Sequence, residues 1–104
     1  MAELHHTASA TPQGVTLAFE GEVDIANVQQ LRRHLLQALQ AHPAVWVDLA
    51  AVTSMDSSGI ATLLEILERA QGAGKAFGVV GLSPRVRAAL ELLCLDTLLL
   101  CDGV

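Results

Sequence analysis

The chain has 104 residues, of which 52% are hydrophobic and only 3% aromatic, and it carries a formal net charge of −5. That length suits one domain, and the apolar content is too high for a disordered chain, so a core must be built from Leu, Val, Ala and Ile. Mean hydropathy is +0.46, yet Asp, Glu, Arg or Gln interrupts every apolar run before it reaches the ~18 residues of a membrane span. Nothing basic or strongly apolar opens the chain in the manner of a secretory signal, so a cytoplasmic protein without direct membrane insertion is expected. The six basic residues, Arg32, Arg33, Arg69, Lys75, Arg85 and Arg87, form no run and have no aromatic platform, which argues against nucleic acid.

In chain order, residues 1–10 are ambiguous between a tail and a short edge strand, and "TPQG" reads as a turn. "VTLAFEGEV" alternates, with Val15, Leu17 and Phe19 on one face, so the two segments suggest a hairpin. Gly21 is expected to break the run. Asp24 precedes a helical pattern of Val28, Leu31, Leu35 and Leu39, and its carboxylate is placed to accept hydrogen bonds from the free amides of the first turn. His42 and Pro43 end that helix. "AVWVDL" is a short, buried, β-rich run. A second helix follows from about Ser58 to Gln71, with Ile60, Leu63, Leu64 and Leu67 inward and Ala61 and Ile66 on opposite flanks. Gly72 and Gly74 close it, and "KAFGVVGL" supplies another strand. Ser83-Pro84 opens a third helix as N-cap and first helical residue, with Val86, Ala89, Leu90 and Leu93 inward. "DTLLLCDGV" reads as a last short strand. Strands alternating with helices imply an α/β fold with a largely parallel sheet and crossover helices.

In such sheets, sites gather where strands end and helices begin. Two junctions qualify: "GEVD" and "MDSSG", the latter Met55-Asp56-Ser57-Ser58-Gly59. Enzyme readings of them fail. "MDSSG" lacks the G-x-S-x-G elbow of a serine hydrolase, and nothing positive marks a His partner among His5, His6, His34 and His42. The only lysine, Lys75, is followed by Ala76, so there is no phosphate-binding loop. A phosphoacceptor role for Asp56 would need an acidic pair for Mg²⁺, which Glu20, Glu22 and Asp24 could be argued to supply, and a lysine near the last strand, which is missing. His5 and His6 point to opposite faces of a strand, and no metal role is expected of them. Cys94 and Cys101 lack C-x-x-C spacing and read as small hydrophobes. No catalytic residue, cofactor or metal is assigned. An interaction module is favoured over an enzyme, although Ser57 or Ser58 could serve simply as a helix N-cap, Asp24 as a cap and Gly59 as a close-packing residue.

"GEVD", "VWVDLAAVTSMDSSGIATLL" and "GKAFGVVGLSPRVRAALELLCLDTLL" together resemble the STAS domain family over about residues 14 to 101, with stand-alone bacterial anti-sigma factor antagonists the nearest type. The resemblance implies a single STAS domain over residues 1–104, with a mixed sheet of about five strands, crossover helices and an opening hairpin. It implies that Ser57 is phosphorylated by an anti-sigma factor that is itself a serine kinase. The unphosphorylated protein would bind that kinase, phosphorylation would break the complex, and a serine phosphatase would restore it. Asp24 and Asp56 would flank the phosphoacceptor, and Asp24, Asp56, Ser57, Ser58 and Gly59 would form the partner-binding surface. "DSSGIATLLEIL" is also similar to small STAS subunits of lipid ABC transporters, which bind the transporter ATPase without a phosphorylation cycle; "GIATLLE" stands where sigma regulators often carry "GLGVIL".

Overall fold

The computed structural model describes residues 4–93 and 95. Strands β1 (His5–Thr11) and β2 (Gly14–Val23) form the hairpin, closed by the pair Thr11 and Gly14 around Pro12-Gln13. The Thr11 hydroxyl steadies the turn, donating to the Gly14 carbonyl and accepting from the Gln13 amide, both at 3.3 Å. Helix α1 (Val28–Ala41) leads to β3 (Ala44–Met55), α2 (Ser57–Gly72) to β4 (Ala76–Leu82), and α3 (Pro84–Leu92) follows. The sheet order is β1-β2-β3-β4; β1 and β2 are antiparallel, and β2, β3 and β4 run parallel through the α1 and α2 crossovers. The described residues thus hold four strands where about five were expected. The fifth expected strand falls on residues 96–104, outside the described residues, as do Cys94 and Cys101.

Alternating positions of the sheet face one hydrophobic cluster: Val15, Leu17 and Phe19 from β2, Val45, Val47 and Leu49 from β3, Phe77 and Val79 from β4. Helix α1 adds Val28, Leu31, Leu35 and Leu39, the four positions its periodicity indicates, and α2 adds Ile60, Leu63, Ile66 and Leu67. Of the two flanking residues of α2, Ile66 is fully buried and Ala61 is exposed. In α3, Val86 and Leu90 are buried, Ala89 is half-buried, and Leu93 is 53% exposed, just past the helix end, rather than inward. Ser83 caps α3 as expected, its hydroxyl accepting from the Val86 amide.

Two expected boundaries move, for related reasons. Strand β3 does not end at Leu49 but runs to Met55, although its apolar alternation fails after Leu49. Between Ala18/Glu20 and between Gly21/Glu22 on β2, the paired positions on β3 advance by one extra residue each time. Each bulge switches which parity faces the core, so buried Val52 follows Leu49 by three residues and Met55 follows Val52 by three. Gly21, expected to end β2, instead lies within it at φ +102°, a conformation glycine alone takes readily, and β2 continues to the buried Val23. The bulges carry β2 and β3 on to the same end of the sheet, where Val23 pairs with Met55.

Candidate functional site

The pairing of Val23 with Met55 places Asp24 and Asp56, one residue beyond each strand, side by side at the C-terminal ends of two parallel neighbours. The Asp56 amide donates to the Val23 carbonyl at 3.2 Å, so the backbone itself ties the two junctions together. All five residues singled out from the sequence, Asp24, Asp56, Ser57, Ser58 and Gly59, gather at this corner.

Their local roles differ from the simplest expectation. The N-cap of α2 is Asp56, not Ser57 or Ser58. Asp56 Oδ1 accepts from the Ser58 amide at 3.0 Å, the Gly59 amide at 3.2 Å and the Ser58 hydroxyl at 2.5 Å. A carboxylate satisfies the orphan amides of a first turn at least as well as a hydroxyl, and its charge suits the positive end of the helix. The Ser58 hydroxyl bond, aided by the amides of Gly59, Ser58 and Ile25, holds the Asp56 carboxyl below the usual carboxylate range against the opposing effect of desolvation. Ser57 takes no part in this capping; it is the first helical residue and is exposed, whereas Ser58 is half-buried. Gly59 is buried where a Cβ would press on the side chains of Met55 and Val23, so it allows α2 to start hard against both strand ends.

Asp24 does not cap α1 directly. Its Oδ1 accepts from the Ala26 amide at 2.9 Å, and its carbonyl accepts from the amides of Asn27 and Val28, which makes a tight turn ahead of the helix. The residue that locks this turn was not anticipated. Asn27 is 2% exposed; its Oδ1 accepts from the Asp24 amide at 3.0 Å and its Nδ2 donates to the Glu22 carbonyl at 2.7 Å. Ile25, 77% exposed, sits on the tip of the pinned turn, beside Asp56. The signal for Asn27 was the Asp-x-x-Asn spacing of "DIAN", which reads as a turn; for Ile25 it was an apolar residue outside every periodic stripe.

The corner is therefore a rigid, acidic projection with one accessible hydroxyl. Among the described residues no three His, Cys, Asp or Glu side chains gather as metal ligands.

Comparison with known proteins agrees on the fold. The chain resembles an anti-sigma factor antagonist from Mycobacterium paratuberculosis at a TM-score of 0.84 and 24% identity, over 97% of this chain and 87% of that one. It resembles the anti-sigma factor antagonist SpoIIAA in its unphosphorylated form (TM-score 0.77, 21% identity, 92% and 86% of the two chains). The phosphorylated form of SpoIIAA, a Bacillus cell fate determinant, also matches (0.72, 20%, 92% and 89%). The family model described as MlaB, STAS domain, matches residues 6–100, nearly the whole sequence, and the chain belongs to the STAS domain family.

Proposed function

We propose that this protein is an anti-sigma factor antagonist, a non-catalytic binding module switched by phosphorylation of Ser57. The observation that carries the reading is the division of labour between the two serines. Ser58 is committed to the Asp56 cap, while Ser57 projects from the first turn of α2 outside the capping bonds. A kinase can therefore modify Ser57 without dismantling the helix start. The likeness to SpoIIAA in both its unphosphorylated and phosphorylated forms supports a fold that carries either state.

A phosphate adds about −1.5 to −2 charges and strong acceptor oxygens. At an α2 N-terminus the free amides and helix dipole tolerate that charge, so the fold persists. The burden falls on the interface, where a dianion joins Asp56 and Asp24 and must be accommodated by whatever faced the bare hydroxyl. Driving a complex from 99:1 to 1:99 takes about 5.5 kcal/mol, within reach of repulsion, bulk and desolvation acting together. In this reading the unphosphorylated protein sequesters an anti-sigma factor serine kinase, and a serine phosphatase resets the phosphorylated form.

A second reading, a STAS subunit of a lipid ABC transporter that binds the ATPase, has its own support. The matching family model is named for MlaB, and because Asp56 rather than a serine caps α2, the corner is complete as a docking element with no modification. Affinity purification from the native host, with mass spectrometry of partners and of Ser57 and Ser58, separates the two. A kinase-like anti-sigma factor with phosphate on Ser57 is the expected result. An ABC ATPase with both serines unmodified would replace the first reading by the second.

A further inference from the structure

The hairpin brings His6 of β1 against His34 of α1, two residues 28 positions apart whose meeting no local pattern indicates. Their ring centroids lie 3.9 Å apart with the planes tilted by 39°. Phe19 of β2 completes the cluster, its centroid 5.5 Å from that of His6 and 6.4 Å from that of His34. One turn before His34, Gln30 accepts the Leu4 amide at 3.1 Å, and Leu4 is buried. Past Leu4, β1 is exposed at every position, so burial holds this outer strand weakly and the ring cluster is its side-chain tie to α1. The groups that face the pair are few. From β2 comes Phe19 alone, because Glu20 pairs with His5 on the opposite face; from α1 come Gln30 and the Arg33 guanidinium. Among the described residues no hydrogen bond or ion pair links a carboxylate to either ring, and no unpartnered side-chain nitrogen is fully buried, so protons reach both rings from solvent.

We propose that His6, His34 and Phe19 form an acid-sensitive latch, which fastens the N-terminal strand to α1 while the imidazoles are neutral and releases it when both are protonated. Neutral rings pack together at this distance without cost. One protonated ring is still tolerated, since a cation is attracted to the face of a neutral aromatic neighbour. Two imidazolium rings in contact, with Arg33 nearby and no anion between them, repel. Partial burial of His34, together with His6 and Arg33, holds its imidazole below the ordinary range, in keeping with a site that resists the second proton. The release of β1 relieves that resistance, so the open form binds protons more readily. The latch is therefore fully closed above the free-histidine value, about pH 6.5, and weakens as pH falls below it toward the lowered value of His34. Because β1 is the outer strand, opening is confined to one edge of the sheet and leaves the parallel pairs β2-β3 and β3-β4 in place.

The test follows the full native chain by NMR from pH 7.5 to pH 5, above the range in which carboxylates titrate. Long-range ¹H–¹⁵N spectra should show His6 and His34 titrating as a coupled pair, in two steps. Hydrogen-exchange protection factors, corrected for intrinsic rate, should fall about tenfold for the β1 amides that pair with β2, while those of β3 hold. His6→Phe keeps a ring in the stack but removes one charge, so its β1 protection should stay constant across the same range. The native-chain measurements stand even if that variant folds poorly. Independent titration of the two rings, β1 protection that does not change between pH 7.5 and pH 5, equal loss of protection in β1 and β3, or an undiminished acid response in a folded His6→Phe variant would each overturn the latch.

Discussion

At the scale of single residues, the junction rests on Asp56. Asp56→Ala removes the acceptor for two backbone amides and for the Ser58 hydroxyl, and caps of this kind are worth about 1 kcal/mol. Urea denaturation should record a loss of about that size. Ser57→Asp, by contrast, changes an exposed side chain outside the capping bonds and should leave the urea midpoint nearly unmoved while weakening partner binding by about tenfold or more, measured by calorimetry with the purified partner; Ser57→Ala, which cannot be phosphorylated, should bind constitutively. A Ser57→Asp variant that unfolds, or that binds the kinase at full strength, would remove the main support of the switch. The pH dependence follows from the lowered carboxyl of Asp56 and of Glu65, the latter held down chiefly by its hydrogen bond to Arg32. A carboxyl with a depressed folded pKa contributes stability above its unfolded value, about pH 4, and loses it as pH falls through the folded value. Acid titration should show stability declining below about pH 4, and Asp56→Asn should flatten part of that decline. That the loop would be polar, acidic and hydroxyl-bearing was legible in "MDSSG"; which side chain capps the helix was not, because Asp and Ser are comparable caps and only the backbone path aims one of them at the amides.

At the scale of elements, the helices were the more readable. Val28, Leu31, Leu35 and Leu39 of α1 bury as their spacing indicates, because a helix keeps its period along its whole length. Strand β3 was readable only to Leu49, since each bulge inserts a residue that its own sequence does not mark; the partner strand determines where the extra residue goes. The turn before α1 makes a similar point through Asn27, whose amide bridges Asp24 and Glu22 while nearly buried. Asn27→Ala removes the side-chain partners of the Asp24 amide and the Glu22 carbonyl and should cost about 1 kcal/mol in urea, with the loop bearing Asp24 and Ile25 losing hydrogen-exchange protection. The clamp of Arg32 on Glu65, 2.7 Å at its shortest and joined by Arg69 at 3.1 Å, links α1 to α2 across a half-exposed surface. Solvent screens such exposed pairs strongly, so Arg32→Ala should lower the urea midpoint only slightly, and not at all in high salt.

At the scale of the whole molecule, one core supports both the sheet and the corner that carries Asp24 and Asp56. Leu35, fully buried at the centre of α1, illustrates the coupling. Leu35→Ala should cost about 2–5 kcal/mol, a large share of the roughly 5–15 kcal/mol available to a domain of this size. Partner binding should then fall with the folded fraction, in contrast to Ser57→Asp, where it falls with the fold intact; thermal melts run beside binding isotherms distinguish the two. No helix among the described residues is long and apolar enough to cross a membrane, which fits apolar side chains being consumed by this core despite the high mean hydropathy.

What the amino-acid order determined alone was local: helix stripes, the Ser83-Pro84 start, the hairpin turn, and two acidic junctions at strand ends, each set by periodicity or by side chains acting on backbone a few residues away. The tertiary structure decided what depends on pairing between distant segments. Strand register brought Val23 beside Met55, and with it Asp24 beside Asp56; bulges carried β3 six residues past its readable end; hairpin closure laid His6 on His34. None of these has a local signature, because register is chosen by the fit of two faces across the sheet, and a single sequence displays only one of them at a time.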